Sequence, residues 1–106
     1  MSNINSEKVF LASLAAYPDE LINYTEYLTE DDFFNTAHKQ IYLCIKSLVL
    51  EKQSEKITKT KIVAEAKTLG LHNFLSVVIK GKTIDDILDE AKNVDRAETR
   101  SYFLEI

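Results

Sequence analysis

Between residues 37 and 48, apolar side chains return at Ala37, Ile41, Cys44, Ile45 and Leu48. Those three- and four-residue intervals are the ones a helix gathers onto one face. The interval recurs along the chain. Phe10, Leu14 and Tyr17 form a stripe widened by Val9 and Leu11, and Leu21, Thr25 and Leu28 fall together with Ile22 beside them. Ile62, Val63, Ala66 and Leu69 follow, then Ile84, Ile87, Leu88, Ala91 and Val94. Two glycines and one proline in 106 residues leave little to interrupt such helices. The pattern predicts an all-α, compact bundle of about six helices. A globular helical head covers residues 1–82. Residues 83–106 form a C-terminal helix or the start of a helical hairpin, with one domain overall.

Punctuation residues set the expected boundaries. Asn5 or Ser6 caps the first helix, and Pro18 closes it while opening the next, followed by Asp19 and Glu20 at the positive end of the helix dipole. Thr29 and Asp32 have the spacing of a capping box, starting a brief turn from which Phe33 and Phe34 enter the core as a pair. Asn35 or Thr36 caps the helix after it, and Thr58 or Thr60 the one beyond. Gly70 followed by Leu71 matches a left-handed C-terminal cap. The segment HNFLSVVIK, residues 72–80, reads as a short helix ended by Gly81, with strand as the alternative. Thr83 and Asp86 make a second box. The expected scaffold core is Phe10, Leu14, Leu28, Phe33, Phe34, Ala37, His38, Ile41 and Ile45.

The reactive side chains are sparse. Cys44 is the only cysteine and lies in an apolar helical run, so it reads as a small buried hydrophobe in a protein of a reducing compartment. No basic segment followed by an apolar stretch opens the chain, and no apolar run is long enough for a bilayer. His38 and His72 are the only histidines, and neither has a second ligand at metal spacing. His38 at a helix start reads as a buried imidazole bonded to a neighbouring carbonyl, because a catalytic histidine needs an orienting partner. Glu30, Asp31 and Asp32 read as helix-start carboxylates. A glycine-rich phosphate loop and a nucleophile elbow are both missing. The expectation is a chain without catalytic residues, metal or cofactor.

Charge is laid out in blocks. Residues 1–38 carry one Lys against seven acids, net −6; residues 39–82 carry nine Lys against three, net +6; residues 83–106 carry three basic against seven acidic side chains, net −4. Lys52, Lys56, Lys59 and Lys61 cluster in the basic block, where weak contact with nucleic acid is the most they support. The aromatic residues of that block, Tyr42 and Phe74, sit at core phase rather than ready for base stacking.

SEKVFLASLAAYPDEL and LTEDDFFNTAHKQIYLCIKSL together resemble the N-terminal domain of DnaB-type replicative DNA helicases. The first resembles the opening helix of that domain, with Glu7 before an apolar run. The second resembles its most recognisable stretch: Leu28, Thr29, Asp32, Phe33, Phe34, Ala37, His38, Ile41, Tyr42 and Ile45 fall on the pattern Leu-Thr-x-x-Asp-Phe-aromatic, then Ala-His-basic-x-Ile-aromatic. KITKTKIVAEAKTLGL sits where the family has an isoleucine-led connection and a helix ending at Leu-Gly. Beyond Leu71 the family's Gly-Gly and Tyr-Leu element is replaced, a divergence similar to that of a phage-encoded relative.

The resemblance implies a non-catalytic collar that pairs through a helical hairpin, three pairs crowning a hexameric motor. It also implies surfaces for primase and loader proteins, a bacterial cytoplasm, and ATP and Mg confined to a C-terminal motor domain that this chain lacks. Two other readings stand beside it: a free-standing helicase-binding protein acting as loader, decoy or inhibitor, and an unrelated helical DNA-binding module. A reading frame continuing into a Gly-Lys-Ser/Thr loop separates a helicase fragment from a small protein. For self-association or partner contact, the expected residues are Ile84, Ile87, Leu88, Ala91, Tyr102, Phe103 and Ile106. A terminal helix must either fold this apolar cluster onto its own core or offer it to another chain.

Overall fold

The computed structural model describes residues 4–71 and 82–106, and every regular element among them is helical. In chain order these are α1 (Ile4–Ala16), a 3₁₀ turn Pro18–Asn23, a short 3₁₀ turn Glu30–Asp32, α2 (Thr36–Leu50) and α3 (Lys59–Thr68). Then come α4 (Thr83–Ala91), a 3₁₀ turn Arg96–Glu98 and α5 (Thr99–Phe103). The expectation for residues 72–81 lies outside the described residues.

α1 is the central element. Val9, Phe10, Leu11, Ala12, Leu14 and Ala15 are all buried, together with Ser6, Glu7 and Ser13. A helix covered on nearly every side has no polar face, so the stripe read from its sequence understates its burial. It packs against α2, α4 and α5, and α2 packs in turn against α3. Asn5 and Ser6 do not cap it: the helix already runs at Ile4, which places both inside its first turn. Ser6 instead hydrogen-bonds the Glu105 carboxylate.

After Pro18 the chain winds as a 3₁₀ turn, with Pro18 at its start as its missing N–H and fixed φ favour. Three residues per turn bring Leu21 and Tyr24 to the same side, and both are buried. Ile22, expected beside Leu21 on a 3.6-residue helix, is 65% exposed as a result. The Thr29 amide donates to Asp32 Oδ2 at 2.8 Å, as the capping-box spacing predicts. Extended backbone at Phe33 then points consecutive side chains to opposite sides. Phe33 is 1% exposed and Phe34 72%, so Phe34 is not a core residue.

The remaining boundaries have identifiable causes. Asn35 Oδ1 accepts the His38 amide and caps α2; Thr58 Oγ1 accepts the Lys61 amide and caps α3. Gly70, at φ +71°, closes α3, with Leu71 N–H on the Ala66 carbonyl at 2.9 Å and Gly70 N–H on that of Lys67 at 3.1 Å. Leu69 lies at the end of that turn and is exposed rather than buried. α4 is preceded by Lys82 in the left-handed region, φ 57°, and Thr83 is its first helical residue without a side-chain cap. The sequence beyond does not continue as one long helix. It breaks after Ala91 and returns across α1 as the Arg96–Glu98 turn and α5.

An aromatic chain links these layers. Phe10 meets Tyr24 edge-on at 5.4 Å between centroids, Phe103 at 5.9 Å and Phe33 at 6.5 Å; Phe33 meets Tyr42 at 5.0 Å. The Tyr42 hydroxyl donates to the Leu28 carbonyl at 3.0 Å inside the core, and burial pushes its pKa up to about 12. Replacing Phe33 with Ala is expected to cost about 3–5 kcal/mol in urea unfolding. Phe34→Ala is expected to stay within about 0.5 kcal/mol of the parent, as a surface substitution does.

Candidate functional site

Two carboxylates stand at core phase, and the deeper of them organises the segment with the most distinctive sequence. Glu7 lies three and four residues before Phe10 and Leu11, on the buried side of α1, and is fully buried. Its Oε2 accepts the Phe34 amide at 2.7 Å, and its Oε1 accepts the Asn35 amide at 3.3 Å and the His38 ring Nδ1 at 2.9 Å. Against an ionised Glu7, which only accepts, the imidazole donor would be Nδ1–H. His38 is 3% exposed, and its partner is this carboxylate rather than the backbone carbonyl expected. The arrangement spends Glu7 on fixing the start of α2 against α1. The signal was present in the phase of Glu7 within an apolar helix.

Glu65 repeats the theme between α2 and α3. It is 2% exposed, bonds the Ser47 hydroxyl, and pairs with Lys52 Nζ at 2.9 Å. Those two partners, Ser47 first, hold its carboxyl below the usual glutamate range. Cys44 nearby is fully buried, and burial pushes its thiol up to about 12, so it is a protonated, inert hydrophobe at neutral pH.

Three of the four lysines expected as a basic cluster have intramolecular partners. Lys52 is held by Glu65, Lys59 pairs with Asp85 at 2.9 Å, and Lys61 Nζ donates to the Lys56 carbonyl at 3.0 Å. A wholly lysine-lined surface is not what these contacts produce.

Of the scaffold residues expected, Phe10, Leu14, Leu28, Phe33, Ala37, His38, Ile41 and Ile45 lie in the core, with Phe34 the exception. The residues expected for partner contact divide. Ile84 and Ile87 are buried, because α4 turns that face onto α1, and they are unavailable to another chain. Leu88, Ala91, Tyr102, Phe103 and Ile106 are partly buried against the same core. Phe103 meets the Tyr24 ring at 4.7 Å between centroids, the planes tilted by 45°. Further ties hold this segment to the head. The Tyr17 hydroxyl donates to the Val94 carbonyl at 3.0 Å, the Arg96 guanidinium lies 4.8 Å from the Tyr17 ring centroid, and Arg96 donates twice to Asp19 and once to Glu20. What stays open is Leu104, 67% exposed, and Tyr27, 71% exposed. They border a groove of about 380 Å³ with Asn23, Tyr24, Arg100 and Phe103.

The family model of the DnaB-like helicase N-terminal domain matches residues 1–99. The chain belongs to that family. No curated protein and no solved structure matches it. The DnaB-like N-terminal domain is a non-catalytic domain of helicases, and here Phe34, Asn35 and His38 meet at the Glu7 carboxyl group. No described helix of this DnaB-like domain is long and apolar enough to cross a membrane, and no group of three potential metal ligands occurs among its described residues.

Two outcomes test the buried carboxylates of this DnaB-like domain. Glu7→Ala strands the His38 ring and two amides, so chemical denaturation is expected to show a loss of about 3–5 kcal/mol. Glu65 has a depressed folded-state pKa, so its stabilisation is full above the unfolded glutamate range and is lost as pH falls below that range through the folded-state value. The stability gap between the parent and Glu65→Gln should therefore be widest at neutral pH. It should narrow on acidification; a gap that widens in acid would contradict the assignment.

Proposed function

We propose that this domain is the non-catalytic collar of a replicative DNA helicase, self-associating and offering a docking surface to primase or a loader protein. The observation that carries the reading is the family match over residues 1–99. It is supported by where the buried polar groups are spent. Glu7, His38 and Glu65 join helix to helix, as a scaffold requires, and His38 also lines an open hollow of about 290 Å³ with Asn35 and Asp86. ATP and Mg belong, on this reading, to a motor domain outside the chain. The exposed Tyr27 and Leu104 beside the partly buried Phe103 supply the apolar patch for self-association, since Ile84 and Ile87 are inside the core and these three line one groove. A free-standing helicase-binding protein would use the same surface against a helicase rather than a second copy.

Sedimentation velocity over a dilution series is expected to show reversible dimers or larger species. Tyr27→Asp and Leu104→Asp, both at exposed positions, should weaken them while leaving the circular dichroism unchanged. A parent chain that stays monomeric at high concentration overturns the self-association. For nucleic acid the expected result is feeble, salt-sensitive binding, given the intramolecular pairs of Lys52 and Lys59 and the net charge of −4. Submicromolar binding of single- or double-stranded DNA at physiological salt would put the partner class elsewhere.

A further inference from the structure

Residues 83–106 carry the pattern of one helix and are folded as two. No glycine or proline falls among them, so nothing in the covalent chain obliges α4 to stop at Ala91. The apolar interval also runs past the break. Val94 follows Ala91 at helical spacing, and Tyr102 stands eighteen residues after Ile84, which is five full turns of a continuous helix. In the structure residues 92–95 are instead a short non-helical connection, and α5 returns across α1.

α5 is lightly held in that seat. Thr99 at its start is fully buried, and its hydroxyl has no hydrogen-bond partner among the described residues, which leaves an uncompensated polar group in the contact. The Arg96 ion pairs beside it are on the surface and add little. The specific part of the seat is Phe103 against Phe10 and Tyr24. We infer that residues 92–95 are a hinge: when they become helical, α4 and α5 merge, and α5 docks on the Phe10–Tyr24 face of a second copy, which returns its own. A straight helix from Ala91 sets Phe103 about 18 Å further along the axis of α4, so it cannot also fold back on its own head. The occupant follows from the closed chain. That face already holds this segment, and an identical segment from another copy makes the same ring contacts with no new complementary surface. Exchange of one element between identical chains closes as a two-fold dimer, and short connections favour it. This inference rests on the self-association proposed above and gives it a structural route.

Sedimentation equilibrium of the full chain tests the hinge. Asp95→Pro suits the bent form, because Asp95 has φ −88° and its amide makes no hydrogen bond among the described residues. Inside a continuous helix a proline is excluded, so this variant is expected to keep the parent's melting curve and weaken dimerisation about a hundredfold or more. Asn93→Ala with Asp95→Ala raises helix propensity at the hinge and should tighten the dimer about tenfold or more. Phe103→Ala removes the same contact from monomer and dimer, so it should lower the melting temperature and leave the dissociation constant near the parent's. A cysteine pair reports the exchange directly. Ser6 bonds the Glu105 carboxylate, so Ser6→Cys with Glu105→Cys, oxidised in the isolated dimer, is expected to give covalent dimers on a non-reducing gel. Links confined within single chains, or Asp95→Pro associating like the parent while Leu104→Asp does not, make the exchange wrong and leave the self-association standing. A parent chain that remains monomeric overturns both.

Discussion

A carboxylate with no access to water holds the start of α2 in place. Glu7 places a carboxyl group in a fully buried position, and its desolvation is offset only if both oxygens are satisfied. They are, by two consecutive amides and an imidazole from the Phe34–His38 segment. Those amides belong to a stretch that is neither helix nor strand, where backbone donors have no regular partner. The acid and the orphan donors therefore solve each other's problem. From this junction follow the direction of α2, the burial of Phe33 beneath it and the projection of Phe34 outward.

The second organising feature is the coverage of α1 from both ends of the sequence. α2 closes one side, and α4 and α5 close another. Residues 83–106 thus share the core of the head instead of standing apart from it, with Ile84, Ile87 and Val94 buried. The Arg96 contacts to Asp19 and Glu20 lie in solvent and add little stability; they orient the chain as it returns. The division of the charge blocks is used partly within the molecule, as Lys59–Asp85 joins the basic block to the acidic C-terminal one, while Arg96–Asp19 ties two acidic blocks together.

The sequence was most legible where a local rule acts alone. The α2 stripe, the Asn35 cap, the Thr29–Asp32 pairing and the Gly70–Leu71 closure each depend on residues within one or two turns, and the structure contains all four. It misled where helix type or side-chain direction is decided by neighbours. Ile22 and Leu21 separate because three residues per turn replace 3.6, and Phe34 parts from Phe33 because extended backbone alternates sides. Thr83 carries the right side chain for a cap but stands one residue inside the helix. The buried acids were overlooked for a different reason. Glu7 and Glu65 sit at core phase, but hydrophobic patterning counts a carboxylate as surface, and only the donors supplied from elsewhere in the chain make their burial tolerable.

The way α1 is covered also bears on when the protein can become itself during synthesis. Phe10 and Tyr17 lie near the beginning of the chain, while the groups that roof them, Phe103 and the Val94 carbonyl, lie near residue 100. Contacts of such separation form late, because most of the chain must be ordered or looped before they reward it. On the ribosome, α1 emerges well before Val94 and Phe103 and waits for its cover until that segment follows. That interval is when a chaperone or a premature neighbour would meet it.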